Sequence, residues 1–177
     1  DLEDKQLTIK TLLTTLSKLL GNDVFGIEKY LSWGVDIQSK KVISSTDRLK
    51  LKEDMVSYFK RLGIRTTVLE KMYQVTEELL MNAIYDAPTT KEGKSMFNHL
   101  SRKTEVILET HQQSTIKYGC DGIYLAVSVT DPFGSLTKDI IINYLDSCYN
   151  NQAGSLNEGK GGAGRGLHQI VENSDLT

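Results

Sequence analysis

The chain has little of what several protein classes require. Two cysteines among 177 residues, Cys120 and Cys148, are too few for a disulfide scaffold and lack metal-ligand spacing, so a reducing cytoplasm is the simplest reading. The three histidines, His99, His111 and His168, complete no Ser-His-Asp set, and His111 and Cys120 are not spaced as zinc ligands. Charge of one sign is also missing. Lys and Arg number 21 against 23 Asp and Glu, a net charge of −2, which leaves no global electrostatic case for nucleic acid or an anionic membrane. No apolar run approaches membrane-spanning length, and no signal peptide is visible. There is no initiator Met, and a new strand begins at Asp175-Leu176-Thr177, so the chain is expected to be a fragment of a longer protein. What remains is a hydrophobic content of 39%, enough for the core of one ordinary domain plus an appendage.

From residue 1 to Leu20 the sequence reads as an amphipathic helix. Leu2, Ile9, Leu12, Leu16 and Leu19 recur at three- and four-residue steps, and Gly21-Asn22 is a stop. The spacing suits a helical pair in a homodimer, a connector from an upstream domain, or a helix packed on its own domain. Val24 to Gly34 is short, aromatic and helical in character, with Tyr30 and Trp33 as packing residues. Residues 1–34 are therefore read as a connector or dimerisation segment and 35–177 as the main domain.

Val35 to Ser45 predicts a strand or hairpin centred on Val42 and Ile43. Thr46 or Asp47 caps a helix to about Leu62, with Leu51, Met55, Tyr58, Phe59 and Leu62 inward, and Gly63 ends it. Thr66 or Thr67 caps the next helix. Thr89 to Ser101 reads as an inserted loop with a short helix, and Glu105 to Leu108 as the start of a strand. Ser114 to Cys120 and Ile123 to Thr130 predict two strands turned by Asp121-Gly122. Thr137 caps a helix to about Tyr149, a glycine-rich loop follows from Asn150 to Ala163, and a last helix spans Leu167 to Asn173. Helices followed by antiparallel strands argue for an α+β two-layer sandwich, a mixed and mostly antiparallel sheet with helices on one face.

The chemistry centres on Glu70 to Pro88. Leu69, Met72, Tyr73, Val75, Leu79, Leu80, Ala83 and Ile84 form one apolar face. Pro88 stops the helix and pushes Ala87 out of helical geometry. Glu78 and Asn82 are four apart, so a carboxylate and an amide oxygen stack one turn from each other. Such oxygens suit magnesium, which keeps waters and phosphates in its remaining positions. Glu77 faces elsewhere and reads as a solvated charge. Alone, Glu-x-x-x-Asn is found on many solvated helix faces. Its company is more specific: Asp131 at a strand end, then a run from Gly159 to Gly166 with five glycines among eight residues. Glycines there let backbone N–H groups face an anion, and the helix behind them adds a positive dipole end. No Gly-Lys-Ser/Thr follows, so this is not a P-loop, and no βαβ unit surrounds it.

Three elements in this order resemble the histidine-kinase-like (GHKL) ATPase superfamily: Glu78-x-x-x-Asn82-Ala83-Ile84, then Asp131 with Gly134, then Gly162-x-Gly164-x-Gly166-Leu167. Within it the chain is most similar to bacterial anti-sigma-factor serine kinases, over roughly Val35 to Thr177. The resemblance implies that Asn82 ligates a Mg2+ bridging ATP phosphates and that Glu78 is a general base. It implies that Asp131 accepts from the adenine amino group, that Gly134 admits the base, and that Gly162, Gly164, Gly166 and Leu167 wrap the phosphates beneath a lid from Asn150 to Ala163. Lys160 and Arg165 are further phosphate contacts. The implied function is an ATP-binding regulatory domain, a Mg-dependent serine/threonine protein kinase or anti-sigma-like switch. Its partner would be a protein with a phosphorylatable hydroxyl or a sigma-like regulator. Two alternatives stay open. One is the catalytic domain of a sensor histidine kinase, whose acceptor histidine is not on the first helix. The other is a non-catalytic partner-binding module. A gyrase- or chaperone-type hydrolase fits less well, because their large partner domains are missing. The sequence also departs from the family. Phe133 and Ser135 stand where glycines are expected, Asp86 stands where His or Tyr is frequent, and the insertion from Thr89 to about Glu109 is long. The closing strands, with the usual threonine near adenine, are not in the sequence.

Overall fold

The computed structural model describes residues 9, 12, 13, 15, 16, 18–20, 25–149 and 163–175. The fold class is α+β. Strands β1 (Gln38–Val42), β2 (Ser114–Cys120) and β3 (Leu125–Thr130) form one antiparallel sheet in that order. The helices are α1 (Asp47–Arg61), α2 (Thr66–Met81), α3 (Lys138–Tyr149) and α4 (Ala163–Glu172). A π-helical turn, Asn82–Asp86, continues α2, and 3-10 turns lie at Ile27–Lys29 and Thr110–Gln112. The chain forms two compact units, residues 1–39 with 117–128, and residues 40–116 with 129–177.

In the first unit, the described residues from 9 to 20 are helical, and Ile9, Leu12, Leu13, Leu16, Leu19 and Leu20 are all exposed. The aromatic stretch after them is not a helix beyond the turn at Ile27–Lys29. Ile27 and Leu31 are its buried residues, whereas Trp33 is fully exposed at 106% and is not a packing residue. A short segment anchored by two aliphatic side chains leaves the indole nothing to lie against. Tyr30 holds the Lys18 ammonium 3.7 Å from its ring centre. The β2–β3 turn is built on Asp121, whose carboxylate accepts from Ile123 N–H, Tyr124 N–H and Ser32 N–H, while Gly122 takes φ +88°. These bonds hold Ile123 and Tyr124 in the turn, so β3 starts two residues later than predicted.

In the second unit, α1 ends as its sequence requires. Gly63 takes φ +80°, Ile64 N–H donates to Phe59 C=O, and Gly63 N–H donates to Lys60 C=O, a Schellman stop. Leu51, Met55 and Phe59 are buried, and so is Lys52, but Leu62 falls past the last turn and is exposed. Ile43 is exposed beside fully buried Val42, as the alternation of a strand end demands. At the start of α2 no threonine caps. Arg65 holds the N-cap position and Thr66 is the first helical residue. The insertion contains no helix between 89 and 101. Thr89 and Ser95 form a bridge, and Met96 N–H donates to Pro88 C=O. The 105–108 segment gives a single bridge, Ser44 to Ile107, between buried Val106 and Leu108. Thr137 does cap α3, its hydroxyl accepting from Ile140 N–H at 3.4 Å. Helix α2 packs on α1 and α4, and α4 packs also on α3.

Candidate functional site

Helix α2 buries Leu69, Val75, Thr76 and Leu80. Thr76 is polar, yet wholly buried, because its hydroxyl donates to Met55 Sδ of α1 at 3.2 Å. That face places the adjacent glutamates on different sides. Glu77 turns to α1, where it pairs with Arg48 at 2.7 Å and with buried Lys52 at 2.6 Å. It is a paired charge and not the solvated one that its sequence suggests. Lys52 also lies 4.0 Å from the centre of the Tyr73 ring. Glu78 faces α4. There Gly166 is buried, and a Cβ added to it would overlap the Glu78 carboxylate.

Asn82 begins the π turn, its N–H shared between Glu78 C=O and Leu79 C=O. Past it the chain does not break before Pro88. Ala87 keeps helical angles, φ −69° and ψ −39°, and its N–H donates to Asn82 C=O at 2.8 Å, an i→i−5 bond. The expectation that proline drives Ala87 into extended geometry fails because the turn widens instead. A π register offsets the carbonyls that a proline ring would otherwise strike. The widened turn buries Ala83, Ile84 and Tyr85 and leaves Asp86 half-buried against Arg102.

Glu78 is half-buried, and that burial raises its pKa above the usual carboxylate value. Neighbouring Glu77 adds to the rise, Arg102 opposes it, and Asp86 adds a little more. Asp86 is also raised by burial, against the hydrogen bond and charge of Arg102. A desolvated carboxylate with a raised pKa has the character of a general base or acid.

Asp131 and Gly134 come together in a second place, the turn after β3. Asp131 Oδ1 accepts from Phe133 N–H at 2.8 Å and Gly134 N–H at 3.1 Å. Gly134 is exposed with φ +63°, so glycine is needed there for the turn itself. Phe133 is half-buried beside it. Gly164, Arg165 and Gly166 belong to the first turn of α4 and do not precede it, since this helix starts four residues earlier than predicted. Half-buried Leu167 follows in the same helix. Lys160, Gly162 and most of the predicted lid lie outside the described residues.

Two acidic or amide oxygens one helical turn apart fit a magnesium carried by phosphates, which brings most of its own ligands. No group of three or more His, Cys, Asp or Glu that could hold a metal ion is found among the described residues. Sequence reading missed Arg102, Tyr85 and Arg48, which hold the turn after Asn82. Its one pointer to them was Asp86, an acid where the resembled family has a different residue. No protein-family model, curated protein or solved structure matches the chain.

Proposed function

We propose that this chain is an ATP-binding regulatory domain of the histidine-kinase-like (GHKL) type, acting as a Mg-dependent serine/threonine protein kinase or anti-sigma-like switch on a protein partner. The observation that carries the reading is the meeting of Glu78 with the first turn of α4. Two of the three resemblance motifs, remote in sequence, pack so closely there that a Cβ at position 166 would displace the Glu78 carboxylate. In this reading Asn82 holds Mg2+ on the nucleotide. Glu78 takes the proton of the attacking hydroxyl, and its raised pKa makes it a better proton acceptor than a solvated carboxylate. The N–H groups at the start of α4 receive phosphate oxygens. Bound magnesium would supply charge neutralisation, and the protein's part is positioning.

One observation favours the non-catalytic module instead. The Asp131 oxygen nearest its own turn is already engaged by two backbone N–H groups, and half-buried Phe133 lies beside it. The exposed apolar stripe from Ile9 to Leu20 supports a homodimer, which sedimentation would test. Cytoplasmic residence belongs to the same proposal. Among the described residues no helix is long and apolar enough to cross a membrane.

Calorimetric titration of ATP and ADP, with and without Mg2+, against the wild type and Asn82→Ala tests the nucleotide site. Binding that needs both Mg2+ and Asn82 supports it. A folded wild-type chain that takes no nucleotide would overturn it in favour of the partner-binding module.

A further inference from the structure

Two departures from the resembled family, Asp86 and the long insertion, are the two ends of one ion pair. Arg102 comes from the insertion, and its Nη2 donates to both Asp86 oxygens at 2.8 and 2.9 Å. The side chains are 23% and 22% exposed. The same segment is held again by the residue next to Asp86. The buried Tyr85 hydroxyl donates to Thr104 C=O at 2.7 Å and reaches Arg102 C=O at 3.2 Å. The Arg102 guanidinium lies 4.9 Å from the centre of the Tyr85 ring. Arg48 of α1 reaches Arg102 C=O at 3.4 Å from the other side. These contacts all close on the π turn whose first residue is Asn82.

We propose that Asp86 and Arg102 are positioning residues, through which the insertion fixes the π turn and so sets Asn82 for a magnesium-bound nucleotide. The inference rests on the nucleotide-binding reading. Stability alone is a poor reason for the pair. A largely buried ion pair gives little over an apolar one of the same shape, and its value lies in fixing one arrangement. A π turn is a costly, rarely used geometry that recurs at functional sites. Here it needs residues from the insertion to hold it, so the insertion is a part of the site.

The test compares wild type with Arg102→Gln and Asp86→Asn. Calorimetry gives ADP affinity with and without Mg2+, and amide exchange follows the Ala87 N–H, whose bond to Asn82 closes the turn. A turn that no longer holds Asn82 in place is expected to cost about what a ligand loses with its outer hydrogen-bond partner, about 10–100-fold in metal affinity. The affinity gained on adding Mg2+ should fall by about that factor in both variants, while Mg-free affinity stays within about twofold. A purely structural pair would lower both together. Exchange at Ala87 should quicken by about tenfold or more, beyond any change in global unfolding. A magnesium gain within about twofold of wild type in both variants would overturn the proposal. A wild type that binds no nucleotide would sink the functional reading instead. The clamp would then stand or fall on exchange, an unchanged Ala87 rate overturning it. Should Arg102→Gln fail to fold, Arg102→Lys keeps the charge without the planar guanidinium that lies against the Tyr85 ring and carries the same comparisons.

Discussion

The two halves of the candidate site are held in opposite ways. Around Glu78 and Asn82, each important contact comes from far along the chain. Arg102 holds Asp86, Arg48 and Lys52 hold Glu77, and Gly166 lies against Glu78. Around Asp131 the contacts are local, one carboxylate oxygen collecting the N–H groups two and three residues ahead. The first half is the product of tertiary packing and fails when a remote residue is changed. The second is a property of four or five residues and tolerates changes elsewhere.

The strongest way to break that contrast is Tyr85→Ala. The ring is fully buried, and its hydroxyl joins the turn to the insertion. Removing a buried aromatic costs about 3–5 kcal/mol, measured by denaturant unfolding. Tyr85→Phe, which takes the hydroxyl donor from Thr104 C=O, should cost about 1–3 kcal/mol. If Tyr85→Ala cost under about 1 kcal/mol, the turn would not depend on the insertion.

This contrast also explains what could be read from the sequence. The end of α1 was legible because Gly63 supplies a φ that few other residues accept. The end of β2 was legible from the Asp121-Gly122 turn, and the cap at Thr137 from its hydroxyl. The Glu78/Asn82 spacing was legible because four residues make one helical turn. The π turn was not, since its cause lies in Arg102 and Tyr85, and periodicity assumes one helical register throughout. Glu77 reads as solvated in the sequence for the same reason, since its partners are on α1. Trp33 reads as a packing residue because an indole is apolar whether or not anything covers it. The GHKL resemblance itself is a matter of motif order, and the α+β class is the part of it that the fold supports directly.

A smaller loss is expected at Gly166, where a methyl group would meet the Glu78 carboxylate. Gly166→Ala should cost about 1–2 kcal/mol, the lower part of the overpacking range, because the atom it meets is the movable end of the Glu78 side chain and alanine favours the helix. Shortening the opposing side chain in Glu78→Ser should recover much of it. The two changes should therefore be non-additive in a double-mutant cycle by about 0.5 kcal/mol or more. Additive losses would mean that α4 and Glu78 are not in contact in solution.

The local half should yield less. Gly134→Ala places a side chain at φ +63°, and Asp131→Ala removes the acceptor that closes the same turn. Each should cost about 1 kcal/mol by thermal denaturation, and the pair together less than the sum, because either one opens the turn. Neither should alter amide exchange at Ala87. A change there would show that the two halves are not independent and would undo the contrast.

The smallest effect is a gain, and it tests whether Glu78 is held for chemistry at the expense of stability. Burial and the charges of Glu77 and Asp86 raise its folded pKa above its ordinary value of 4.5. The folded state therefore binds the proton more tightly than the unfolded state does. Ionised Glu78 costs stability, and that cost is absent below the ordinary value, grows as pH rises from there through the raised folded value, and is complete above it. Glu78→Gln removes the charge and keeps the shape, so it should raise Tm near neutral pH. The side chain is only half-buried and solvent screens it, so the rise should be about 1 °C, as a few tenths of a kcal/mol gives in a chain of this size. Below about pH 4, where the glutamic acid is protonated in both states, the difference should vanish. Burial raises the Asp86 pKa in the same direction, so the pH-linked part of its contribution has the same sign as at Glu78. Asp86→Asn should nevertheless lower Tm at neutral pH, because it leaves the largely buried Arg102 charge without its carboxylate. A Glu78→Gln variant less stable than wild type at neutral pH would mean that its carboxylate is anchored by a favourable partner and is not held at the expense of stability.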